Sequence, residues 1–197
     1  MKKFALALGV MTLATLTSLL SLPVMASSAA CQVNTKKELS LDEKHFDQSL
    51  QAGWRVLARQ PKCREAAADL IEAYRKAHHS KSITLAWHEA QMRAMVGQND
   101  KAVALFKQAK HPKADPFGWN LYVDATVAFL QNNKPQLLKD RKEMMALPRP
   151  KGYLPAGKVA KDSDLKWPLY IDKVDAFVSC FGSSYQHAYS ECSAPKS

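Results

Sequence analysis

Apolar residues recur at spacings of three and four between residues 41 and 147, which is the pattern of helices that each bury one face. This stretch is rich in Ala, Leu, Lys, Gln, Glu and Met, and it lacks the alternating β-branched and aromatic runs that form strands. We therefore expect an all-α fold. Turn and capping signals divide the stretch into six predicted helices, at about 41–60, 63–77, 82–96, 101–110, 115–131 and 134–147.

Capping and helix-breaking residues indicate where these predicted helices begin and end. Ser40 is followed three residues later by Glu43, which is a capping box, and Pro61 ends the helix that begins there. Gly97 is a natural C-cap for the third helix, and Pro116 suits the first turn of the fifth. Short turns therefore join the helices into about three antiparallel hairpins.

The internal turns of the hairpins fall near Pro61, Gln98 and Asn132, which are 37 and 34 residues apart. A period of this size indicates an array of helical repeats. The second hairpin also carries a specific motif of small and aromatic residues, which comprises Gly97, Ala102, Phe106 and Ala109, with Ala90 on the preceding helix and Ala125 in the following hairpin.

This motif resembles the second half of a tetratricopeptide repeat. The resemblance implies a short α-solenoid whose concave face holds a peptide or a partner protein. It covers one hairpin well, but Arg141 stands where the third hairpin should repeat the aromatic position of Phe106. The first turn, at Pro61, has no glycine. A helical bundle without repeats is the alternative.

The composition changes after Leu147. Residues 148–167 are rich in Pro, Gly and Lys and predict a non-helical connection. Residues 168–197 then carry the apolar pattern of a seventh helix, which would cap the array, and a tail closed by a disulfide. The mature chain is thus expected to comprise a helical-repeat domain at 27–147, the connection and this C-terminal cap.

The first 26 residues have the order of a secretory signal peptide. Lys2 and Lys3 precede an apolar stretch, and small residues follow it. Cleavage is expected after Ala26 or as late as Ala30, and the mature chain would then have no transmembrane span. An uncleaved anchor and a lipoprotein modified at Cys31 are the alternatives. We expect a periplasmic or secreted protein.

Cysteine usage and charge agree with export. Four cysteines in an oxidising compartment predict two disulfides, and of three possible connectivities proximity favours Cys31 with Cys63 and Cys180 with Cys192. The formal net charge is +10, or +8 without the two lysines of the signal peptide. This charge favours anionic partners in the envelope. Nucleic acid is not expected, since export removes it and no recognition motif is present.

Enzyme motifs are incomplete in this chain. His88 and Glu89 begin a zinc-protease helix motif, but the second histidine ligand would have to stand at Met92. No catalytic, metal or cofactor site is therefore predicted, and a non-enzymatic protein is expected. A composite active site would require His88 to meet acidic residues in a deep pocket.

The expected function is a protein-protein interaction or scaffold module that binds another envelope or secreted protein. Its concave face would present Gln51, Arg55, Gln91, Arg93, Asn120 and Asp124. The alternative is a basic envelope-binding protein. It would contact anionic lipid or cell-wall polymer through Lys139, Lys142, Lys158 and Lys161.

Overall fold

The computed structural model describes residues 31–113, 115–150 and 167–192. The predicted signal peptide and residues 151–166 and 193–197 lie outside these ranges. Within them the chain forms α-helices and a 3-10 turn at Pro61–Cys63, with no strand, which confirms the all-α prediction. The helices are α1 Thr35–Leu39, α2 Glu43–Gln48, α3 Trp54–Ala58, α4 Arg64–Ala77, α5 Ile83–Met95, α6 Asn99–Gln108, α7 Trp119–Leu130, α8 Lys134–Met145, α9 Ile171–Ser179 and α10 Tyr185–Ser190.

The first predicted helix, 41–60, is wrong, because short helices and a sharp corner occupy this region. Asp42, rather than Ser40, caps α2, since its carboxylate accepts a hydrogen bond from the amide three residues later at 2.8 Å. Between α2 and α3 the chain turns at Gly53, whose φ of +68° suits glycine. The Gly53 amide donates to the buried carboxylate of Glu38 at 2.6 Å, which holds the corner.

The second to sixth predicted helices are all present, as α4 to α8. Side chains of Ser82 and Asn133 cap α5 and α8 by accepting hydrogen bonds from amides in the first turn. The start of α7 differs from the prediction, because it begins at Trp119. Gly118 adopts a left-handed conformation before it, and the Asp115 carboxylate accepts hydrogen bonds from two amides of this turn.

Helix α5 lies between two clusters of buried apolar side chains. Leu85 and Met92 belong to an N-terminal cluster built from residues 31–92, together with Phe46 and Ile71. The other buried apolar residues of α5 belong to a C-terminal cluster that extends to α10. Because α5 contributes side chains to both clusters, most of its side chains are buried. Met95 packs against both of them.

The C-terminal segment packs on the α7–α8 pair. Phe177 of α9 stacks on Phe129 of α7 with ring centroids 4.9 Å apart. Arg141 of α8 pairs with Asp175 of α9 at 2.5 Å. The predicted seventh helix is thus confirmed as α9, but the tail also contains α10, which the sequence did not predict.

Both predicted disulfides are present. Cys31 is bonded to Cys63, which ties residue 31 to the start of α4, and Cys180 is bonded to Cys192, which closes the segment around α10. Stable disulfides indicate an oxidising compartment. No helix in the described parts of the chain is both long and apolar enough to cross a membrane.

The helix contacts do not establish a solenoid of stacked hairpins. α5 packs on α6, and α7 packs on α8, as hairpins would. However, α9 lies against both α7 and α8, and α10 returns to contact α5. The fold that these contacts define is a set of mutually packed helices with α5 at the junction of the two apolar clusters.

Candidate binding groove

A groove of about 540 Å³ runs between α4 and α6, with α5 beneath it. α4 and α6 form its walls, because each packs on α5. The turn between α4 and α5 closes one end. The side chains and backbone that line this groove come from Glu72, Arg75, Lys76, His79, Ser80, Lys81, Glu89, Leu105 and Gln108.

Arg75 joins all three helices of the groove. Its guanidinium on α4 pairs with the Glu89 carboxylate on α5 at 2.5 Å. The same guanidinium donates to the Gln108 side-chain oxygen on α6 at 3.1 Å. Glu89 is only 3% exposed, so its charge is compensated by Arg75 rather than by water. This contact connects the two walls.

A second arginine crosses the seam between α4 and α5 in the opposite direction. Arg93 of α5 is 1% exposed and pairs with Asp69 at 2.7 Å and Glu72 at 2.8 Å, both on α4. Glu72 also accepts a hydrogen bond from Lys76 at 2.5 Å. Glu72 therefore links the groove wall to the buried Arg93. The two arginines therefore join α4 and α5 through ion pairs.

The two carboxylates of the groove differ in electrostatic environment. Burial raises the pKa of Glu89, and the opposing effect of Arg75 does not cancel it. The hydrogen bond from Lys76 lowers the pKa of Glu72, with burial acting in the opposite direction. Both acidic groups are held by cations of the protein itself.

The rim of the groove is basic. Lys76 is largely exposed, and His79 and Lys81 are exposed at the turn that closes one end. Of the two carboxylates in the groove, Glu89 is buried under Arg75 and Glu72 is already bonded to Lys76. The groove can therefore pair with acidic groups at its rim and hydrogen-bond through the Gln108 amide at its wall.

His88, which a composite active site would require beside acidic residues, contacts one carboxylate, that of Asp47. Its Nδ1 lies 2.7 Å from Asp47 Oδ1, which also accepts a hydrogen bond from the Trp54 indole at 2.9 Å. Burial by itself raises the pKa of Asp47, but the hydrogen bonds from His88 and Trp54 outweigh it and lower the pKa. This hydrogen-bonded contact joins α2 to α5.

The Asp47 carboxylate also borders a depression on the surface. The neighbouring depression is lined by residues of α2 and by Thr84, and His88 is not among them. In the parts of the chain that the structure describes, no three His, Cys, Asp or Glu side chains are close enough to hold a metal ion.

The six side chains predicted to face a partner lie outside the groove. Gln51 is exposed before α3, and Arg55 stacks over the Trp54 ring at 4.4 Å. Gln91 and Arg93 are buried in α5. Contact of these residues with a partner stays a prediction, but Arg93 is enclosed by its own ion pairs.

The remaining two predicted partner contacts serve the α6–α7 connection. Asn120 exchanges two hydrogen bonds with the backbone of His111, at 2.8 and 3.0 Å. Asp124 pairs with Lys110 at 2.6 Å. Both side chains therefore fasten the segment between α6 and α7.

The predicted anion-binding lysines are only partly within the described residues. Lys139 and Lys142 are exposed on α8. Lys158 and Lys161 lie outside the described ranges.

Sequence reasoning missed the groove residues Arg75, Glu89 and Gln108. A signal for the α4–α5 seam was present, since Glu89 and Arg93 are four residues apart on a helix whose other inward residues are mostly apolar. Charged residues with that placement face a partner helix rather than solvent. The partner itself could not be chosen, because several nearby helices carry opposite charges.

No family model, curated protein or solved structure matches this chain. The resemblance of the α5–α6 hairpin to a tetratricopeptide repeat therefore stays a prediction. In the structure, Ala102, Phe106 and Ala109 are fully buried, and Gly97 has a φ of +78°. These are the roles that a packed helical hairpin requires of such residues.

Proposed function

We propose that this protein is a non-enzymatic interaction module of the periplasm or the secreted space. In this proposal the groove between α4 and α6 holds an acidic segment of another envelope or secreted protein. The basic charge of the chain and its disulfides support this setting.

The groove itself is the observation that carries the proposal. The Arg75 contacts to Glu89 and Gln108 connect its walls, and Lys76, His79 and Lys81 line its rim. A peptide that enters such a preformed groove loses its own freedom but requires little rearrangement of the protein. A carboxylate of the peptide would pair with Lys81, and a second one could pair with Lys76 only in competition with Glu72.

Site-specific photo-crosslinking tests this proposal. A benzoylphenylalanine at Gln108 stands in the groove wall, whereas the same group at the adjacent exposed residue Lys107 does not line the groove. We expect a defined heterologous protein adduct from position 108 in cells and none from position 107. Equal adducts from both positions, or adducts of the protein with itself alone, would contradict the proposal.

Charge reversal at the rim tests the chemistry of the partner. Lys81→Glu should weaken the adduct formed through position 108, because it repels an acidic segment. Lys107→Glu introduces the same charge change away from the groove and should leave the adduct intact. If both variants weaken it equally, the overall charge of the protein is responsible instead of the rim.

A further inference from the structure

Exposed apolar side chains lie on α8 about 100° around the helix from its buried apolar side chains. Leu137 and Met144 of this helix are fully buried against the core. Leu138, in contrast, is 44% exposed and Met145 is 52% exposed. They are two of the five large hydrophobic side chains that are exposed in the described ranges. Their occurrence on one short helix is therefore a concentration of exposed apolar surface.

Lysines surround these two side chains. At about 100° per residue, Lys134, Leu138, Lys142 and Met145 fall within an arc of about 80° on the helix, and Lys139 lies beside it. All three lysines are exposed. We call these five residues the outer face of α8.

Acidic groups of α8 are kept away from the centre of this face. Asp140 is only 3% exposed and lies on the buried side. Glu143 stands at the margin, 3.9 Å from Lys139. The outer face of α8 is therefore both basic and apolar.

We infer that the outer face of α8 docks on an anionic lipid membrane surface. Long lysine stems let the ammonium groups reach lipid phosphates, while Leu138 and Met145 enter the boundary between headgroups and acyl chains. A cell-wall polymer would engage the lysines but would gain little from two aliphatic side chains. The contact is peripheral and independent of the groove, so it goes beyond the proposed function.

Vesicle binding with matched lysine variants tests the charge component. The full protein should bind phosphatidylglycerol-containing vesicles, bind neutral phosphatidylcholine vesicles weakly, and lose affinity as salt is raised. Lys139→Ala with Lys142→Ala should weaken binding about 30-fold, since each lysine near the surface contributes about fivefold. Lys101→Ala with Lys107→Ala removes the same charge from exposed positions of α6 and should change binding less than about threefold.

Substitution of the two apolar side chains distinguishes a lipid partner from a polymer partner without changing the charge of the protein. Leu138→Ser with Met145→Ser should weaken binding to the anionic vesicles about tenfold, because it removes apolar area that enters the membrane. Leu50→Ser, at a residue 58% exposed elsewhere, should have no effect. Thermal unfolding followed by circular dichroism verifies that every variant is folded.

Three results would overturn the inference. The first is the absence of binding to anionic vesicles by the full protein. The second is an equal loss of binding in both lysine pairs, which would indicate a general charge effect. The third is salt-sensitive binding to purified sacculi with no effect of the serine substitutions on vesicle binding, which would assign the face to a cell-wall polymer. None of these results depends on crosslinking in the groove.

Discussion

Burial of a carboxylate costs free energy that its surroundings must offset, and Glu89 and Asp140 are compensated unequally. Glu89 has the Arg75 guanidinium at 2.5 Å. Asp140 has a hydrogen bond from the Gln136 amide at 2.7 Å, while its other oxygen is buried with no partner in the described part of the chain. Loss of the partner of Glu89 should therefore lower the free energy of unfolding, whereas Asp140 should make that free energy depend on pH.

Replacing Arg75 tests the first of these expectations. Arg75→Met should lower the free energy of unfolding by about 3 kcal/mol at pH 7.5, because it leaves Glu89 buried without a cation. Since the pKa of Glu89 is already raised by burial, protonation should restore part of the loss at pH 5. Urea unfolding at the two pH values measures this. The control is Arg75→Met with Glu89→Gln, which should be more stable than Arg75→Met at pH 7.5 and lack the recovery at pH 5.

Asp140 should give the fold its own pH dependence. Burial raises its pKa from 3.8 to about 6. The folded protein then holds this proton more tightly than the unfolded chain, so the contribution to stability is full below about pH 4 and is lost as pH rises through 6. Asp140→Asn should therefore raise the free energy of unfolding by about 2 to 3 kcal/mol at pH 7.5 and change it little at pH 4.

The neighbouring Glu143 is the matched control for Asp140. Its side chain is half exposed, so Glu143→Gln makes the same change of charge without relieving burial. The free energy of unfolding of the Glu143→Gln variant should have the same pH dependence as that of the wild type. A profile for Asp140→Asn that also parallels the wild type would show that Asp140 is hydrated in solution.

At the scale of the helix, local chemistry determined which elements could be predicted. Helices α4 to α8 were predicted because their ends are set by neighbouring residues, such as Ser82 before α5 and Asn133 before α8. The region before Pro61 was mispredicted because the capping box at Ser40 favoured a long helix. The corner at Gly53 depends on contact with Glu38 and Phe46, which the sequence does not show.

The candidate groove was harder to predict than the helices. Its position depends on α4 and α6 both packing on α5, and nothing in the helical pattern specifies which helices become neighbours. α10 was missed for a similar reason, since its six residues are too few to show a clear period. Tyr185 and Ala188 of α10 are buried only because the disulfide segment folds back on the core.

Alanine substitutions at two glycines distinguish the cost of backbone strain from the cost of a steric clash. Gly53 and Gly97 both have positive φ, +68° and +78°. A Cβ at Gly53 would lie 1.9 Å from the Phe46 carbonyl oxygen, whereas a Cβ at Gly97 would have no atom within 4 Å. Gly53→Ala should therefore lower the free energy of unfolding by more than about 2 kcal/mol, and Gly97→Ala by only about 1 kcal/mol. Equal losses in urea unfolding would contradict this assignment.

At the scale of the whole molecule, α5 should make the two apolar clusters unfold together. Leu85 and Met92 complete one cluster, and Ala86, Trp87 and Ala90 belong to the other. Neither cluster can lose α5 without exposing apolar surface. We therefore expect the described helices to unfold as one cooperative unit in spite of their two cores.

Native-state hydrogen exchange tests this cooperativity. Cys180→Ser with Cys192→Ser should lower the free energy of unfolding by about 3 kcal/mol through greater freedom of the unfolded chain. In a cooperative unit, the slowest-exchanging amides of α4, far from this bond, should lose as much protection as those of α7. Unchanged protection in α4 would show that the N-terminal cluster unfolds independently.

The disulfide pattern also affects how the protein matures. Each bond joins cysteines that follow one another in the sequence, Cys31 with Cys63 and Cys180 with Cys192. A chain that enters an oxidising compartment from its N-terminus presents the first pair long before the second. Pairing in the order of appearance would produce the native connectivity, so we expect a thiol oxidase to suffice without a disulfide isomerase.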